Sequence, residues 1–216
     1  MKQSHFTIIA LLLMAVAFTA ATFFYNTEQS QLQNERSQQH NEALIRDHSV
    51  KAGNPAAKVT IVEFMDPACE TCAQFHPFVK QLMNNHSGKI NLVIRYAPFH
   101  PGSDKMVAIL EAARKQDKFW QVLELMFDSQ AQWASHHNPQ PDLFWNVLER
   151  SGFDVAQLRQ DMTDPAIMKV IEQDLADGRL LGADKTPTFF VNGKPLPSFG
   201  AEQLQTLVNA EVSANY

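Results

Sequence analysis

The sequence predicts an α/β fold in which a βαβ unit is followed by a helical insertion, a last strand and a last helix. Buried strands are predicted at 59–66 and 90–96, because both runs are rich in β-branched and aromatic residues. Between them, residues 69–86 carry apolar side chains at spacings of three and four, which is typical of a helix. Strands joined by a helix and short connections should lie parallel.

The segment at about 103–185 has a helical pattern throughout and predicts an insertion of four or five helices. Helix boundaries are indicated by Ser103, by Gly152, by the spacing of Asp154 and Gln157, and by Asp164 before Pro165. A short strand at 188–191 and an amphipathic C-terminal helix follow. This order predicts a mainly parallel sheet with the insertion between its second and third main strands.

Composition and charge exclude several classes of protein. A chain of 216 residues holds one domain, or one domain with an insertion. Hydrophobic residues make up 45% and charged residues 19%, which is typical of a globular protein. The 18 Lys and Arg against 23 Asp and Glu provide no basic surface for a phosphate backbone, so we expect no nucleic-acid partner.

The N-terminal region predicts export. Residues 6–25 carry no charge and are about long enough to span a bilayer, so residues 1–25 are expected to be a signal anchor or a signal peptide. Lys2 precedes this run and Glu28 and Glu35 follow it, which places the rest of the protein outside the cytoplasm. We therefore expect a protein in the periplasm or on the extracytoplasmic face of the inner membrane.

Residues 26–57 have the composition of a polar tether, because they are rich in Gln, Asn, Ser and Glu. Gly53, Asn54 and Pro55 break any helix near the end of this segment. The folded domain is therefore predicted to comprise residues 58–216.

The two cysteines, Cys69 and Cys72, are too few for a disulfide scaffold or a Cys-only structural zinc site. They begin a predicted helix, where free N–H groups and the helix dipole stabilise a thiolate. Cys69 is predicted to attack, and Cys72 to resolve the mixed disulfide. Half zinc sites and Cu(I) carriers use the same spacing, but the βαβ context and the lack of a second pair favour redox chemistry.

The region from residue 59 to the C terminus resembles the DsbA-like thiol:disulfide oxidoreductases of the thioredoxin-fold superfamily. Several linked positions carry this resemblance: the cysteine pair, Glu63 six positions before it, Pro77 five positions after it, and Thr186 with Pro187 before the last strand. The resemblance implies a thioredoxin-like fold with a central mixed sheet. It also implies a cis peptide bond before Pro187, in a loop that faces the cysteines and binds an extended substrate.

The resemblance further implies that Glu63 is buried, with a raised pKa that would let it accept the proton of Cys72. Taken alone, Glu63 would be an ordinary strand acid facing solvent, and Pro187 a trans proline. Glu70 lies between the cysteines where the strongest oxidant of the family has a histidine. Because a carboxylate opposes ionisation, the pKa of Cys69 is predicted to lie between about 5 and 7. In the family, a threonine at the position of Thr186 is associated with isomerase-like or reductase-like members about as readily as with oxidants, so the direction of electron flow stays open.

The other candidate residues are predicted to be structural. His136 and His137 are expected in a solvated loop, and His76 and His100 could lie near the active site but are expected to be structural. Methionine and aromatic side chains in the helical stripes are expected in the core: Met106, Met126, Met162, Met168, Trp120, Trp133, Phe144 and Trp145.

The sequence thus predicts an exported thiol:disulfide oxidoreductase, tethered to the membrane, that acts on protein thiols and disulfides without a cofactor. Because it has a single cysteine pair, a membrane partner must recycle it, either a quinone-linked oxidase or a transmembrane thiol reductase. One alternative is a Cu(I)-binding metallation factor that uses the same sulfurs with Met65 or a histidine. Another is a tethered holdase that binds unfolded segments beside Pro187.

Overall fold

A computed structural model describes residues 22–25, 27–29, 31–32, 35, 38–134 and 139–216. The predicted signal segment lies outside the described residues except for 22–25, and so do His136 and His137. Within the described part of the chain, no helix has the length and apolar character needed to cross a membrane. The chain divides into two units, of which Ala43–Tyr216 contains the sheet and the cysteines.

A five-stranded mixed sheet lies at the centre of this unit, with the strand order β1-β3-β2-β4-β5. The strands are β1 (Val50–Gly53), β2 (Val59–Met65), β3 (Ile90–Tyr96), β4 (Thr188–Val191) and β5 (Lys194–Pro195). Strands β2 and β3 are parallel, which confirms the predicted βαβ unit. The other pairs, β1 with β3, β4 with β2 and β5 with β4, are antiparallel.

The prediction of a mainly parallel sheet is therefore wrong, whereas the mixed sheet that the resemblance implied is confirmed. Hydrophobic periodicity reports whether a strand is buried, but it does not report the direction in which the strand runs. A long helical insertion lets the chain re-enter the sheet from either end, and here it enters β4 antiparallel to β2.

Eight helices, described outside residues 1–42, surround the sheet. They are α1 (Glu70–Asn85), α2 (Ser103–Arg114), α3 (Phe119–Asp128), α4 (Gln130–Trp133), α5 (Pro141–Arg150), α6 (Val155–Asp161), α7 (Pro165–Leu181) and α8 (Ala201–Asn215). The insertion thus contains six helices, α2 to α7. Asp154 caps α6 by accepting a hydrogen bond from the Gln157 N–H, and Asp164 caps α7 in the same way from Ala166.

The core contains most of the apolar side chains that the helical pattern predicted. Met106, Met126, Trp133, Phe144 and Trp145 are buried, and Met162 and Trp120 pack partly buried against the same core. Met168 is 48% exposed, so its predicted place in the core is wrong. The buried stripe of α7 is formed instead by Ile167 and Ile171.

The folded unit begins at Ala43, upstream of the predicted start at residue 58. Leu44 is buried, and β1 extends the sheet by pairing with β3. Arg46 donates two hydrogen bonds to Asp177, of 2.9 and 2.7 Å, from Nε and Nη2. The composition of this segment is polar, but its charged side chains bind partners in α7 that the composition cannot reveal.

A buried arginine joins the N-terminal segment, β3 and α7. Arg95 is fully buried, and its Nη2 donates to Asp174 Oδ1 at 2.7 Å and to Asp177 Oδ2 at 2.6 Å. The carbonyl of Ala43 also accepts a hydrogen bond from Arg95, and His48 Nε2 lies 2.6 Å from Asp174 Oδ1. Buried charges are tolerated when they are paired and hydrogen-bonded, and this network meets both conditions.

A chain that starts at Lys58 should therefore be less stable than one that starts at Ala43. Removing residues 43–57 deletes β1 and removes Arg46, which pairs with the buried carboxylate of Asp177. The free energy of unfolding should fall by about 3 kcal/mol or more. Urea unfolding measures the difference. The chain that starts at Ala43 is the control and should match the full-length protein, and equal stability of the two shortened chains would contradict the assigned boundary.

Candidate active site

The two cysteines lie where β2 passes into α1. Cys69 is the N-cap residue of α1, and Cys72 lies within its first turn. Cys69 is 7% exposed and Cys72 is fully buried, and both are free thiols. Cys69 thus lies at the N terminus of α1, where free backbone N–H groups and the helix dipole favour a thiolate.

The sulfur of Cys69 is surrounded by hydrogen-bond donors. The hydrogen bond from the Cys72 thiol is the main reason that the pKa of Cys69 falls to about 5, while burial opposes this shift. Hydrogen bonds from the Thr186 side chain and from the backbone N–H groups of Cys72 and Thr71 lower the pKa further. The value lies at the lower end of the predicted range, and it is set chiefly by these hydrogen bonds rather than by the Glu70 carboxylate.

The second thiol has the opposite character. Burial raises the pKa of Cys72 well above its usual range, and its hydrogen bond to Cys69 and the nearby charges of Glu63 and Cys69 raise it further. Cys72 thus stays protonated while Cys69 is a thiolate. In disulfide exchange, a thiolate attacks first and a neighbouring protonated thiol resolves the mixed disulfide, so this asymmetry is suited to such chemistry.

Glu63 lies on β2, on the sheet face that packs against α1. It is 3% exposed, and burial, with a further contribution from the charge of Cys69, raises its pKa to about 8. The burial that the resemblance implied is therefore present. A carboxyl group with such a pKa can exchange a proton with a neighbouring thiol near neutral pH.

The loop before β4 completes the site. The Thr186–Pro187 peptide bond is cis, as the resemblance implied. When Cys69 is protonated, its thiol donates to the carbonyl oxygen of Thr186 across 3.3 Å, so this loop faces the sulfur of Cys69. The chain thereby brings together two segments separated by 117 residues.

A pocket of about 260 Å³ lies beside this loop. Pro187 and Phe189 line one part of it, and the segment from Pro195 to Phe199 lines another. Phe199 is 47% exposed, and its ring lies 5.0 Å from that of Phe75 on α1. The pocket thus offers aromatic and proline surface beside the loop that contains Pro187.

The other residues considered in the sequence analysis, Pro77, His76 and His100, lie around the cysteines in structural positions. Pro77 lies inside α1, and His76 is buried against the ring of Phe127 at 5.2 Å, where burial lowers its pKa. His100 contacts the loop before Cys69, because its Nδ1 lies 2.7 Å from Asp66 Oδ2. Across the described parts of the chain, no three His, Cys, Asp or Glu side chains are grouped in a way that could hold a metal ion.

Sequence reasoning missed two residues of this site, Asp66 and Gln130. Asp66 is fully buried in the loop before Cys69, and its side chain accepts hydrogen bonds from backbone N–H groups on both sides of the site. Gln130, in α4, donates to the carbonyl of Pro67. An aspartate directly before a proline at a strand end could have indicated a turn, but the sequence carries no signal for Gln130.

Comparison with known proteins supports this assignment of the fold. The chain matches the thioredoxin family over residues 45–210. A thioredoxin-like oxidoreductase from Silicibacter pomeroyi is 28% identical, with a TM-score of 0.67 over 78% of this chain and 95% of that chain.

Two further solved structures share the fold at lower identity. For alpha-DsbA1 from Wolbachia pipientis the TM-score is 0.68 at 18% identity, over 82% of this chain and 96% of that chain. For oxidised BdbD from Bacillus subtilis the TM-score is 0.66 at 21% identity, over 76% of this chain and 93% of that chain.

The curated relatives are longer proteins. One named Na(+)/H(+) antiporter NhaA, from Herminiimonas arsenicoxydans, is 30% identical over 159 residues, which are 73% of this chain and 25% of that relative. The chain thus spans about a quarter of the length of the curated relatives it matches.

Replacing Thr186 by valine should raise the pKa of Cys69. Valine keeps the branched shape but lacks the hydroxyl that stabilises the thiolate, so the pKa of Cys69 should rise by about one unit. Thiolate absorbance in the ultraviolet, followed against pH, measures this change. Thr188→Val is the matched control, because the Thr188 hydroxyl binds the Lys185 carbonyl in the same loop. Equal titrations of the two variants would refute the role of the hydroxyl.

Replacing Glu63 by glutamine should stabilise the reduced protein in a pH-dependent way. The pKa of Glu63 is about 8 in the folded state, against 4.5 for the ordinary group, so unfolding releases a proton between these values. The free energy of unfolding of the native protein therefore falls as the pH rises through this window.

The variant lacks this titrating group. Its free energy of unfolding should equal that of the native protein below pH ~4.5 and exceed it by about 3 kcal/mol at pH ~7. Urea unfolding of both proteins across this window measures it. A difference in stability that does not change with pH would show that Glu63 is not held protonated.

Proposed function

The chain belongs to the thioredoxin family, and we propose that it is a DsbA-like thiol:disulfide oxidoreductase that exchanges disulfides with protein substrates through Cys69 and Cys72 outside the cytoplasm. One observation carries this proposal: two thiols of opposite acidity lie at the start of α1, and the more acidic of them, Cys69, contacts Thr186 before the cis proline. An acidic attacking thiol beside a protonated resolving thiol is the arrangement that disulfide exchange requires.

In the reducing direction, the Cys69 thiolate attacks one sulfur of a substrate disulfide and forms a mixed disulfide, and the other substrate sulfur leaves as a thiolate. Forming the mixed disulfide removes the negative charge of Cys69, which helps to keep the pKa of Glu63 high, so Glu63 ionises more readily at this stage. Its carboxylate then accepts the proton of Cys72, and the Cys72 thiolate attacks Cys69 Sγ. The second substrate sulfur leaves, and a Cys69–Cys72 disulfide remains. Two electrons pass from the cysteine pair to the substrate.

In the oxidising direction the same steps run backwards. A substrate thiolate attacks Cys69 in the disulfide, and Cys72 leaves as a thiolate that takes a proton from Glu63. A second substrate thiolate then attacks the substrate sulfur of the mixed disulfide and releases the Cys69 thiolate. Two electrons pass from the substrate to the cysteine pair. The thiolate at Cys69 is a good leaving group because its pKa is about 5.

The substrate is proposed to be an extended protein segment that contacts the loop at Pro187. The pocket beside this loop, with Phe199 at its edge, would hold an apolar side chain that flanks the substrate cysteine. Contact through backbone and apolar surface is compatible with many sequences, as expected of a protein that exchanges disulfides with several substrates.

The N-terminal segment is proposed to export the protein and to keep it near the membrane. A single cysteine pair is left oxidised or reduced after each turnover, so a second protein must restore it. A quinone-linked oxidase would do so for a disulfide donor, and a transmembrane thiol reductase for a reductant.

The reduction potential of the Cys69–Cys72 pair, equilibrated against glutathione, decides the direction. A value between about −120 and −180 mV would identify a disulfide donor, and one between about −230 and −270 mV a reductant. The proposal would be overturned in favour of a metallation factor if the pair formed no disulfide at any ratio of oxidised to reduced glutathione and the protein bound Cu(I) stoichiometrically.

Cys69→Ser should abolish exchange with a peptide disulfide, because an alcohol at this position is not ionised and cannot attack. Cys72→Ser is the matched variant: it should still attack but should accumulate the mixed disulfide, which non-reducing electrophoresis detects. Turnover at the native rate in Cys69→Ser would exclude the mechanism.

A further inference from the structure

The loop between β2 and α1 contains a peptide unit whose two polar atoms are both bound by side chains. This unit joins Pro67 to Ala68. Asp66 Oδ1 accepts a hydrogen bond from Ala68 N at 2.8 Å, and Gln130 Nε2 donates to Pro67 O at 3.0 Å. Asp66 and Gln130 are both buried. The peptide unit cannot rotate without leaving a buried polar atom unpaired, which is costly.

The carboxylate of Asp66 is itself held in place. Its Oδ2 accepts hydrogen bonds from the backbone N–H groups of Phe99 and His100, at 2.8 and 2.9 Å, and lies 2.7 Å from His100 Nδ1. These donors belong to the loop between β3 and α2. The loop before Cys69 is therefore attached to two neighbours, the loop after β3 through Asp66 and the helical insertion through Gln130.

The conformation of this loop determines where Cys69 points. The Cys69 N–H donates to the Asp66 carbonyl at 3.0 Å, so Cys69 follows directly from the bound peptide unit. The sulfur then meets the first N–H groups of α1 on one side and Thr186 on the other. A rotation of the preceding peptide would move the sulfur relative to both.

We propose that Gln130 is a positioning residue for disulfide exchange, which holds the Cys69 loop through the Pro67 carbonyl so that the sulfur meets the α1 N–H groups and Thr186. The inference rests on the proposed function of the cysteine pair. It gives the helical insertion a direct part in the reactivity of Cys69, because Gln130 is the first residue of α4. Gln130 does not touch the reacting sulfurs and acts through the loop.

Gln130→Met tests the proposal in the full chain. Methionine is of similar size and remains buried, but it has no N–H to donate. The matched control is Ser129→Ala, because Ser129 is also buried and its hydroxyl donates to the Leu125 carbonyl at 2.6 Å within the insertion. Both variants lose one buried side-chain hydrogen bond, but only Gln130→Met loses a bond to the Cys69 loop.

Three quantities should be measured for each protein: the equilibrium constant with glutathione, the thiolate titration of Cys69, and the free energy of unfolding. In Gln130→Met we expect a three- to tenfold shift of the equilibrium toward the disulfide, together with a higher pKa of Cys69, because the thiolate is less well stabilised. A tenfold shift corresponds to about 30 mV. Ser129→Ala should lower stability and leave both redox quantities at their native values.

The outcomes are distinguishable. If Gln130→Met keeps the native equilibrium and titration, the proposal is wrong even where stability falls, since Gln130 then has only a structural part. If the native protein forms no disulfide, the proposed function fails, and the titration of Cys69 still decides whether Gln130 positions the sulfur. If Gln130→Met does not fold, Asp66→Asn can be used instead, because it alters the second attachment of the same loop with almost no change in side-chain volume. It should shift the glutathione equilibrium and the pKa of Cys69 in the same directions.

Discussion

Stabilisation of one thiolate is the interaction around which the rest of this site is arranged. Hydrogen bonds converge on the Cys69 sulfur from the Cys72 thiol, from the first N–H groups of α1 and from Thr186. These donors come from a helix start and from a loop more than 100 residues later in the chain. The sheet is what holds them together, because β2 leads into α1 and its partner β4 follows the Thr186–Pro187 peptide.

Buried acids are kept in two different states on the two faces of β2 and β3. Glu63 lies on the α1 face, where burial raises its pKa to about 8, so its carboxyl group is available for proton exchange with Cys72. Asp174 and Asp177 meet Arg95 on the other face, where hydrogen bonds to Arg46 and Arg95 hold the pKa of Asp177 below its usual value despite burial. A buried carboxyl group without a cationic partner, such as Glu63, has a raised pKa and can exchange protons. A buried carboxylate paired with arginines, such as Asp177, stays ionised and stabilises the fold.

The helical insertion is more than a cover for the sheet. It places Gln130 against the loop before Cys69, and α7 carries the two aspartates that bind Arg95. The same helix thereby anchors the N-terminal segment from Ala43 onward. The fold is shared with proteins that are about 20% identical, whereas contacts of this kind depend on individual side chains.

The βαβ unit, the helix caps at Asp154 and Asp164, and the cysteine pair could be predicted from the sequence, because each depends on periodicity or spacing over a few residues. The burial of Glu63 and the place of Pro187 needed a family resemblance in addition. The directions of β1 and β4, the partners of Arg95 and the contact of Gln130 were decided only by the tertiary structure. They join residues separated by 38 to 130 positions, and no local pattern records which distant residues will meet.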